Sequence, residues 1–134
     1  MNDEHFMQMA LEVAEQGRGY TSPNPLVGAV VVQNGVVVGR GFHQFAGGAH
    51  AEVHAIDAAG DAARGATLYV NLEPCNHTGR TPPCTHKILS AGLRRVVIAM
   101  RDPNPQVAGG GAEFLKAQGV EIICGVCEDQ AQRL

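Results

Sequence analysis

Three residues of the types that bind zinc lie near the starts of two predicted helices. His50 precedes one apolar helical segment, and Cys75 and Cys84 bracket the entrance to the next. Backbone N–H groups at a helix N-terminus stabilise the thiolates that zinc requires. One imidazole and two thiolates leave the fourth tetrahedral position for water, which is typical of catalytic rather than structural zinc sites. The pattern therefore predicts one catalytic zinc ion per chain.

Glu52 is the predicted proton carrier of this site. It lies two residues after His50, in the first turn of the same helix, where its carboxylate can face the site without binding the metal. Zinc lowers the pKa of a water ligand toward neutrality, and a nearby carboxylate can take up and pass on the protons. Attack of the resulting hydroxide on a ring carbon that bears an amino group would release ammonia and leave a carbonyl.

The spacing of the two cysteines is unusual for this chemistry. Zinc-dependent nucleobase deaminases carry H-x-E followed by P-C-x-x-C, whereas residues 76–83 separate Cys75 from Cys84 here. The glycine and two prolines of that segment favour an ordered loop. The loop also offers donors beside the metal for a phosphorylated, polyhydroxylated ligand: Asn76, His77, Arg80 and Thr81.

The elements that position these residues follow from apolar periodicity and from turn residues. A first helix begins at Asn2 or Asp3 and stops near Gly17, and Asn34-Gly35 is the dipeptide that best tolerates a tight hairpin turn. The other predicted helices cover 50–59, 84–91 and 112–118, and the predicted strands cover 27–32, 36–41, 68–72, 95–100 and 120–124.

This order of elements predicts the fold class. A helix, a hairpin and then alternating helices and strands favour a mixed five-stranded sheet whose later strands are parallel and whose two faces are covered by helices. The expected fold is a three-layer α-β-α domain of the α/β class. At 134 residues, the chain has room for one such domain, residues 1–134.

Composition excludes several classes of partner. The formal net charge is -3 and the ten Lys and Arg residues are scattered, so we expect no nucleic-acid partner. Apolar runs fall far short of the roughly 20 residues that cross a bilayer, and no secretory signal precedes them, so we expect a cytoplasmic protein without a membrane partner. Four cysteines are then expected to be reduced.

The sequence resembles the cytidine-deaminase superfamily, and it closely resembles the deaminase half of the bifunctional riboflavin-biosynthesis deaminase-reductase family. The widened cysteine spacing with its internal Gly-Arg-Thr-Pro-Pro is characteristic of that branch. The matching stretches cover most of the chain: residues 23–28 (PNPLVG), His43 with Gly47, residues 50–53 (HAEV), 73–75 (EPC), 79–84 (GRTPPC) and 102–105 (DPNP), with Val107, Gly109 and Gly111.

The resemblance implies a substrate and its contacts. The implied reaction is hydrolytic deamination of 2,5-diamino-6-ribosylamino-4(3H)-pyrimidinone 5′-phosphate at ring position 2, which gives the corresponding dione and ammonia. Asn24 and His43 match positions that line the family's substrate pocket. The reductase half of that family is missing from this sequence, which is therefore either an excised deaminase domain or a deaminase that works alone. A separate reductase is compatible with either reading. A homo-oligomer is compatible with the family.

Two other functions remain open at this stage. One is a different zinc deaminase of the superfamily, acting on a free base such as guanine or cytosine or on adenosine in transfer RNA. The other is a zinc-stabilised binding module in which Glu52 only caps its helix. Cys124 and Cys127 form a rival metal pair by spacing, but strand alternation predicts that Cys124 is a small buried core residue.

Overall fold

The computed structural model describes residues 2–19, 26–44, 50–75, 84–101 and 110–134. Within these ranges the chain forms five strands and five α-helices, with a short 3₁₀ helix, Gly60–Ala63, after the second of them. The strands are β1 (Gly28–Gln33), β2 (Val36–Phe42), β3 (Thr67–Leu72), β4 (Arg95–Met100) and β5 (Glu121–Cys124). The helices are α1 (Asp3–Glu15), α2 (Ala51–Ala59), α3 (Cys84–Ala91), α4 (Gly111–Ala117) and α5 (Glu128–Gln132).

The strands form one mixed sheet in the order β2-β1-β3-β4-β5. β1 runs antiparallel to both β2 and β3, whereas β3, β4 and β5 are parallel. The hairpin between β1 and β2 turns on Asn34 and Gly35, whose φ angles of 52° and 79° are the left-handed values that this tight turn requires. The predicted mixed five-stranded sheet is therefore confirmed.

Two apolar clusters cover the two faces of the sheet. Successive strand residues point to opposite faces, so Val31 belongs to the cluster that includes residues of α2, α3 and α4, whereas Val30 belongs to the cluster that includes residues of α1 and α5. β4 shows the same alternation, since Val96 belongs to the first cluster and Val97 to the second. The predicted three-layer α/β architecture is confirmed.

Glycines in β2 let α2 lie directly against the sheet. A Cβ atom on Gly39 would lie 2.2 Å from the carbonyl oxygen of Ala55, and one on Gly41 would lie 2.5 Å from the backbone nitrogen of the same residue. No side chain fits at those distances, so the two glycines fix how closely α2 approaches β2. This contact matters for the site because α2 begins next to His50.

Asn71 joins β3 to the start of β1 through its side chain. Its Oδ1 accepts a 2.8 Å hydrogen bond from the backbone N–H of Gly28, and its Nδ2 donates to the carbonyl of Leu26 at 3.0 Å. These bonds extend the pairing beyond Ala29 and Val70, the last partners of the backbone ladder. The amide is buried, and it anchors the residues that follow the segment 20–25.

Three features of the structure differ from what the sequence predicted. The 3₁₀ helix and α5 were not predicted, and Cys124 is exposed rather than buried. The prediction of a core role for Cys124 is wrong because β5 is an edge strand and Cys124 is its last residue.

Among the described residues, no helix is both long and apolar enough to cross a membrane.

Candidate metal centre and active site

The structure brings together the three residues predicted as metal ligands. The candidate ligand atoms of His50, Cys75 and Cys84 all lie within 4.8 Å of one another. The Nδ1 atom of His50 is 3.1 Å from the sulfur of Cys84 and 3.6 Å from the sulfur of Cys75. Within the ranges that the structure describes, this is the one group of His, Cys, Asp and Glu residues with such geometry.

Each of the three side chains is held by the end of a secondary-structure element. His50 is the N-cap residue of α2, and its carbonyl accepts hydrogen bonds from the N–H groups of Val53 and His54. Cys75 follows the end of β3, and Cys84 is the first residue of α3. The site therefore depends on two helix starts and one strand end.

Cys75 and Cys84 are also tied to each other through the backbone of α3. The N–H of Cys84 donates to the sulfur of Cys75 at 3.4 Å, and the N–H of Thr85 donates to the carbonyl of Cys75 at 3.3 Å. The first N–H groups of a helix have no partner within the helix. Here Cys75 accepts two of them, so the wide spacing between the cysteines still yields a close pair.

The electrostatics of the three ligands favour an anionic sulfur. Hydrogen bonds from the Cys84 thiol, from His50 and from the Cys84 backbone hold the pKa of Cys75 well below its usual range. The same hydrogen bond to Cys75, together with burial, raises the pKa of the Cys84 thiol. The hydrogen bond with Cys75 also raises the pKa of His50. A divalent cation would take the place of the protons that these groups share.

Glu52 lies beside the ligands as a buried carboxylate. Only 3% of its surface is exposed, and its Oε1 is, among the described residues, the one buried side-chain oxygen or nitrogen without a hydrogen-bond partner. Burial raises the pKa of Glu52 to about 7. An unpaired buried carboxylate oxygen is costly for stability and is characteristic of functional sites.

The residues present fit a zinc ion. One imidazole and two thiols are a common donor set for catalytic zinc, and the orphaned oxygen of Glu52 supplies the acceptor that such a site needs for a proton. Zinc bound there would provide Lewis acidity that makes water a nucleophile near neutral pH. The arrangement suits hydrolysis.

His43 is the one predicted substrate residue within the described ranges. It is 4% exposed, and its ring lies edge-on to that of His50 with the centroids 5.5 Å apart. Its backbone N–H donates to the carbonyl of Val27 at 3.0 Å, which holds the end of β2 beside the start of β1. The other predicted substrate residues lie outside the described residues: Asn24, His77, Arg80 and Thr81.

Two buried polar residues close to Cys75 in the chain were given no role in the sequence analysis, although Glu73 belongs to the matching stretch 73–75. Asn71 and Glu73 are 4% and 8% exposed, and both bond to backbone far away in the chain. A polar residue at the end of an apolar strand, just before a ligand, is the pattern that could have indicated them. Cys124 and Cys127 do not belong to the metal group.

Comparison with known proteins agrees with this geometry. Residues 1–100 match the family described as the cytidine and deoxycytidylate deaminase zinc-binding region. The chain is 44% identical to the diaminohydroxyphosphoribosylamino-pyrimidine deaminase of Buchnera aphidicola, with 99% of this chain and 90% of that protein covered. The chain therefore belongs to the zinc-binding cytidine and deoxycytidylate deaminase family.

Longer relatives are also similar. The chain is 54% identical to the riboflavin biosynthesis protein RibD of Aquifex aeolicus over 98% of its own length, but it spans only 37% of that relative. The structure of Acinetobacter baumannii RibD superposes with a TM-score of 0.95 at 51% identity, over 98% of this chain and 37% of that one. At this TM-score, the chain has the same fold as the matching part of the RibD structure.

Proposed function

We propose that residues 1–134 act as a zinc-dependent hydrolase that deaminates 2,5-diamino-6-ribosylamino-4(3H)-pyrimidinone 5′-phosphate to 5-amino-6-ribosylamino-2,4(1H,3H)-pyrimidinedione 5′-phosphate. The observation that carries the proposal is the buried carboxylate of Glu52, whose Oε1 has no hydrogen-bond partner among the described residues, beside the cluster of His50, Cys75 and Cys84. The substrate class follows from the relatives, whose names place them in riboflavin biosynthesis or give this deaminase activity.

His50, Cys75 and Cys84 would hold the zinc ion, and Glu52 would move the protons. Zinc supplies the Lewis acidity for hydrolysis when it is bound. Glu52 takes one proton from the attacking water and passes it to a ring nitrogen. It then takes the remaining proton of the added oxygen and passes it to the departing amino group, so that ammonia leaves and a carbonyl remains on the ring. A carboxylate with a pKa of about 7 is suited to both halves of this transfer, because it can accept and release a proton near neutral pH.

Substrate recognition is assigned to five residues. His43 lies next to the candidate metal ligands, and both His43 and Asn24 match the family's pocket positions. The loop between the two cysteines adds three donors: His77, Arg80 and Thr81. Arg80 is the cationic group among them and suits the phosphate of the substrate. We further propose that the product passes to a reductase, which in this protein's longer relatives is part of the same chain.

The acidic balance of the chain weakens the alternative of a transfer-RNA substrate. A net charge of -3 with scattered Lys and Arg residues offers no basic surface to a polyanion.

Four free cysteines suit the reducing cytoplasm, where Cys75 and Cys84 would remain available to zinc. A free base such as cytosine or guanine remains the competing small-molecule substrate.

A substrate panel scored by ammonia release tests the proposal. We expect turnover of the phosphorylated diaminopyrimidinone and little or none of cytosine, guanine or adenosine in transfer RNA. Glu52→Gln should lower the rate by at least about 100-fold, the usual contribution of a general acid–base group, while zinc stoichiometry stays near one. Turnover of guanine or cytosine alone would overturn the substrate assignment, and full activity of E52Q would overturn the role of Glu52.

A further inference from the structure

Glu73 follows the carboxyl end of β3, two residues before the proposed ligand Cys75, and its side chain is hydrogen-bonded to α4. Its carboxylate Oε2 accepts a 3.0 Å hydrogen bond from the backbone N–H of Ala112. Its own backbone N–H donates to the carbonyl of Met100 at 3.0 Å, at the end of β4. The residue is buried, with 8% of its surface exposed, so these bonds are protected from water.

The start of α4 also presses directly on the residue between Glu73 and Cys75. A Cβ atom on Gly111 would lie 2.0 Å from the carbonyl oxygen of Pro74 and 3.5 Å from the Thr85 side chain. Only glycine allows so close an approach. The backbone of Pro74 is therefore in close contact with the start of α4, one residue before Cys75.

The same segment is bonded to α3 on its other side. The N–H of Thr85 donates to the carbonyl of Cys75 at 3.3 Å, and the N–H of Cys84 donates to the sulfur of Cys75 at 3.4 Å. Residues 73–75 thus lie between two helices. Glu73 and Pro74 contact α4, and Cys75 is hydrogen-bonded to α3. The hydrogen bond from Ala112 to the Glu73 carboxylate joins this segment to α4.

We infer that Glu73 is a positioning residue for the metal site: by bonding to Ala112, it fixes the backbone at Pro74 so that the sulfur of Cys75 stays within reach of His50 and Cys84. The inference rests on the zinc site of the proposed function. It concerns metal affinity and ligand geometry, whereas Glu52 concerns proton transfer. Outer residues that orient metal ligands typically change metal affinity by about 10- to 100-fold when they are removed.

Three substitutions separate the hydrogen bond from the charge. Glu73→Gln keeps an oxygen at the same distance and removes the charge, so it should bind zinc nearly as tightly as the parent. Glu73→Asp keeps the charge but withdraws the oxygen by one carbon–carbon bond, and Glu73→Ala removes it. Both should bind zinc about 10-fold more weakly or worse. Glu113→Ala, which removes an exposed carboxylate from the same helix, is the matched control and should leave zinc affinity unchanged.

The readouts are zinc affinity, from competition with a chelator, and the visible spectrum of the cobalt-substituted protein, which reports the geometry of the thiolate ligands. E73D decides the question if E73A fails to fold. The inference is overturned if E73D matches the parent in both readouts, or if E73Q loses as much affinity as E73D. Ammonia release by the parent tests the proposed function separately, since a parent that binds zinc without turnover leaves the ranking of the Glu73 variants intact.

Discussion

Tyr69 and Asp3 are joined by a 2.7 Å hydrogen bond in which the hydroxyl of Tyr69, in β3, donates to Oδ1 of Asp3, in the first turn of α1. Arg95, the first residue of β4, donates to both oxygens of the same carboxylate, at 3.0 Å and 2.5 Å. Because β3 and β4 are parallel and Cys75 follows the end of β3, this network lies at the opposite end of the strands from the metal cluster. It fastens α1 to the sheet independently of the site.

The alkaline titration of Tyr69 should be delayed. Burial and the hydrogen bond to Asp3 raise its pKa to about 12, above the value of about 10 for an unfolded chain. The neutral hydroxyl therefore stabilises the fold fully below about pH 10, and this contribution is lost as the pH rises through about 12. Tyr69→Phe should lower the free energy of unfolding by about 1 kcal/mol at neutral pH, and its deficit should shrink between these two pH values.

Denaturant unfolding at graded pH, with near-ultraviolet absorbance to follow tyrosinate, measures both effects. Tyr20→Phe removes the other tyrosine of the chain and leaves the signal of Tyr69 alone. A deficit of Y69F that is constant up to the most alkaline pH would argue against the linkage.

The close contact between β2 and α2 predicts a steric defect that reaches the metal site. In Gly41→Ala the new methyl group would meet backbone atoms of α2, 2.5 Å away at Ala55 and 2.6 Å away at Ala51. Helix α2 must then shift, at a cost of about 1–3 kcal/mol. Since His50 caps α2, zinc affinity should fall together with stability.

Thermal unfolding and zinc titration of G41A check this prediction. Arg40→Ala on the same strand removes an exposed side chain and should change stability by no more than about 0.5 kcal/mol. If G41A equals the parent in stability and zinc affinity, the glycine does not set the position of α2.

Removal of the metal should leave Cys75 unusually reactive. Hydrogen bonds from Cys84 and His50 hold the pKa of Cys75 well below the ordinary thiol value of about 8.5, so a larger fraction of Cys75 is thiolate at mildly acidic pH than of an ordinary thiol. Iodoacetamide should therefore alkylate Cys75 in the metal-free protein at that pH. Cys84, whose pKa is raised and which is buried, should react slowly.

Peptide mass spectrometry after brief alkylation gives the modified fraction at each cysteine. Zinc should protect Cys75, whereas labelling of Cys124, which is exposed and outside the cluster, should not depend on zinc. A metal-free Cys75 that reacts no faster than a cysteine in an unstructured peptide would contradict the lowered pKa.

Local signals predicted much of this fold from the sequence. The bounds of α3 and β4 agree to the residue with the prediction, because Gly92 adopts the left-handed φ of 76° that ends α3 and the β-branched run after Arg95 defines β4. The hairpin at Asn34 was equally local. The positions of His50, Cys75 and Cys84 near two predicted helix starts indicated a cluster that the fold then assembles.

Tertiary relationships were not readable in the same way. Helix α5 is five residues long and mostly polar, and its packing depends on Ala131 meeting the second apolar cluster. Cys124 was expected in the core because alternation does not reveal which strand forms the sheet edge. Glu73 and Asn71 bond to backbone 39 and 43 residues away, so no local pattern announces their partners.

X-ray absorption at the zinc edge tests the central claim most directly, because it counts the sulfur ligands of the bound ion. The account predicts one zinc ion per chain with two sulfur atoms at about 2.3 Å and two nitrogen or oxygen atoms at about 2.0–2.1 Å, and loss of one sulfur in Cys75→Ser or Cys84→Ser but not in Cys124→Ser. Three or four sulfur ligands, or a spectrum unchanged by C75S and C84S, would contradict it.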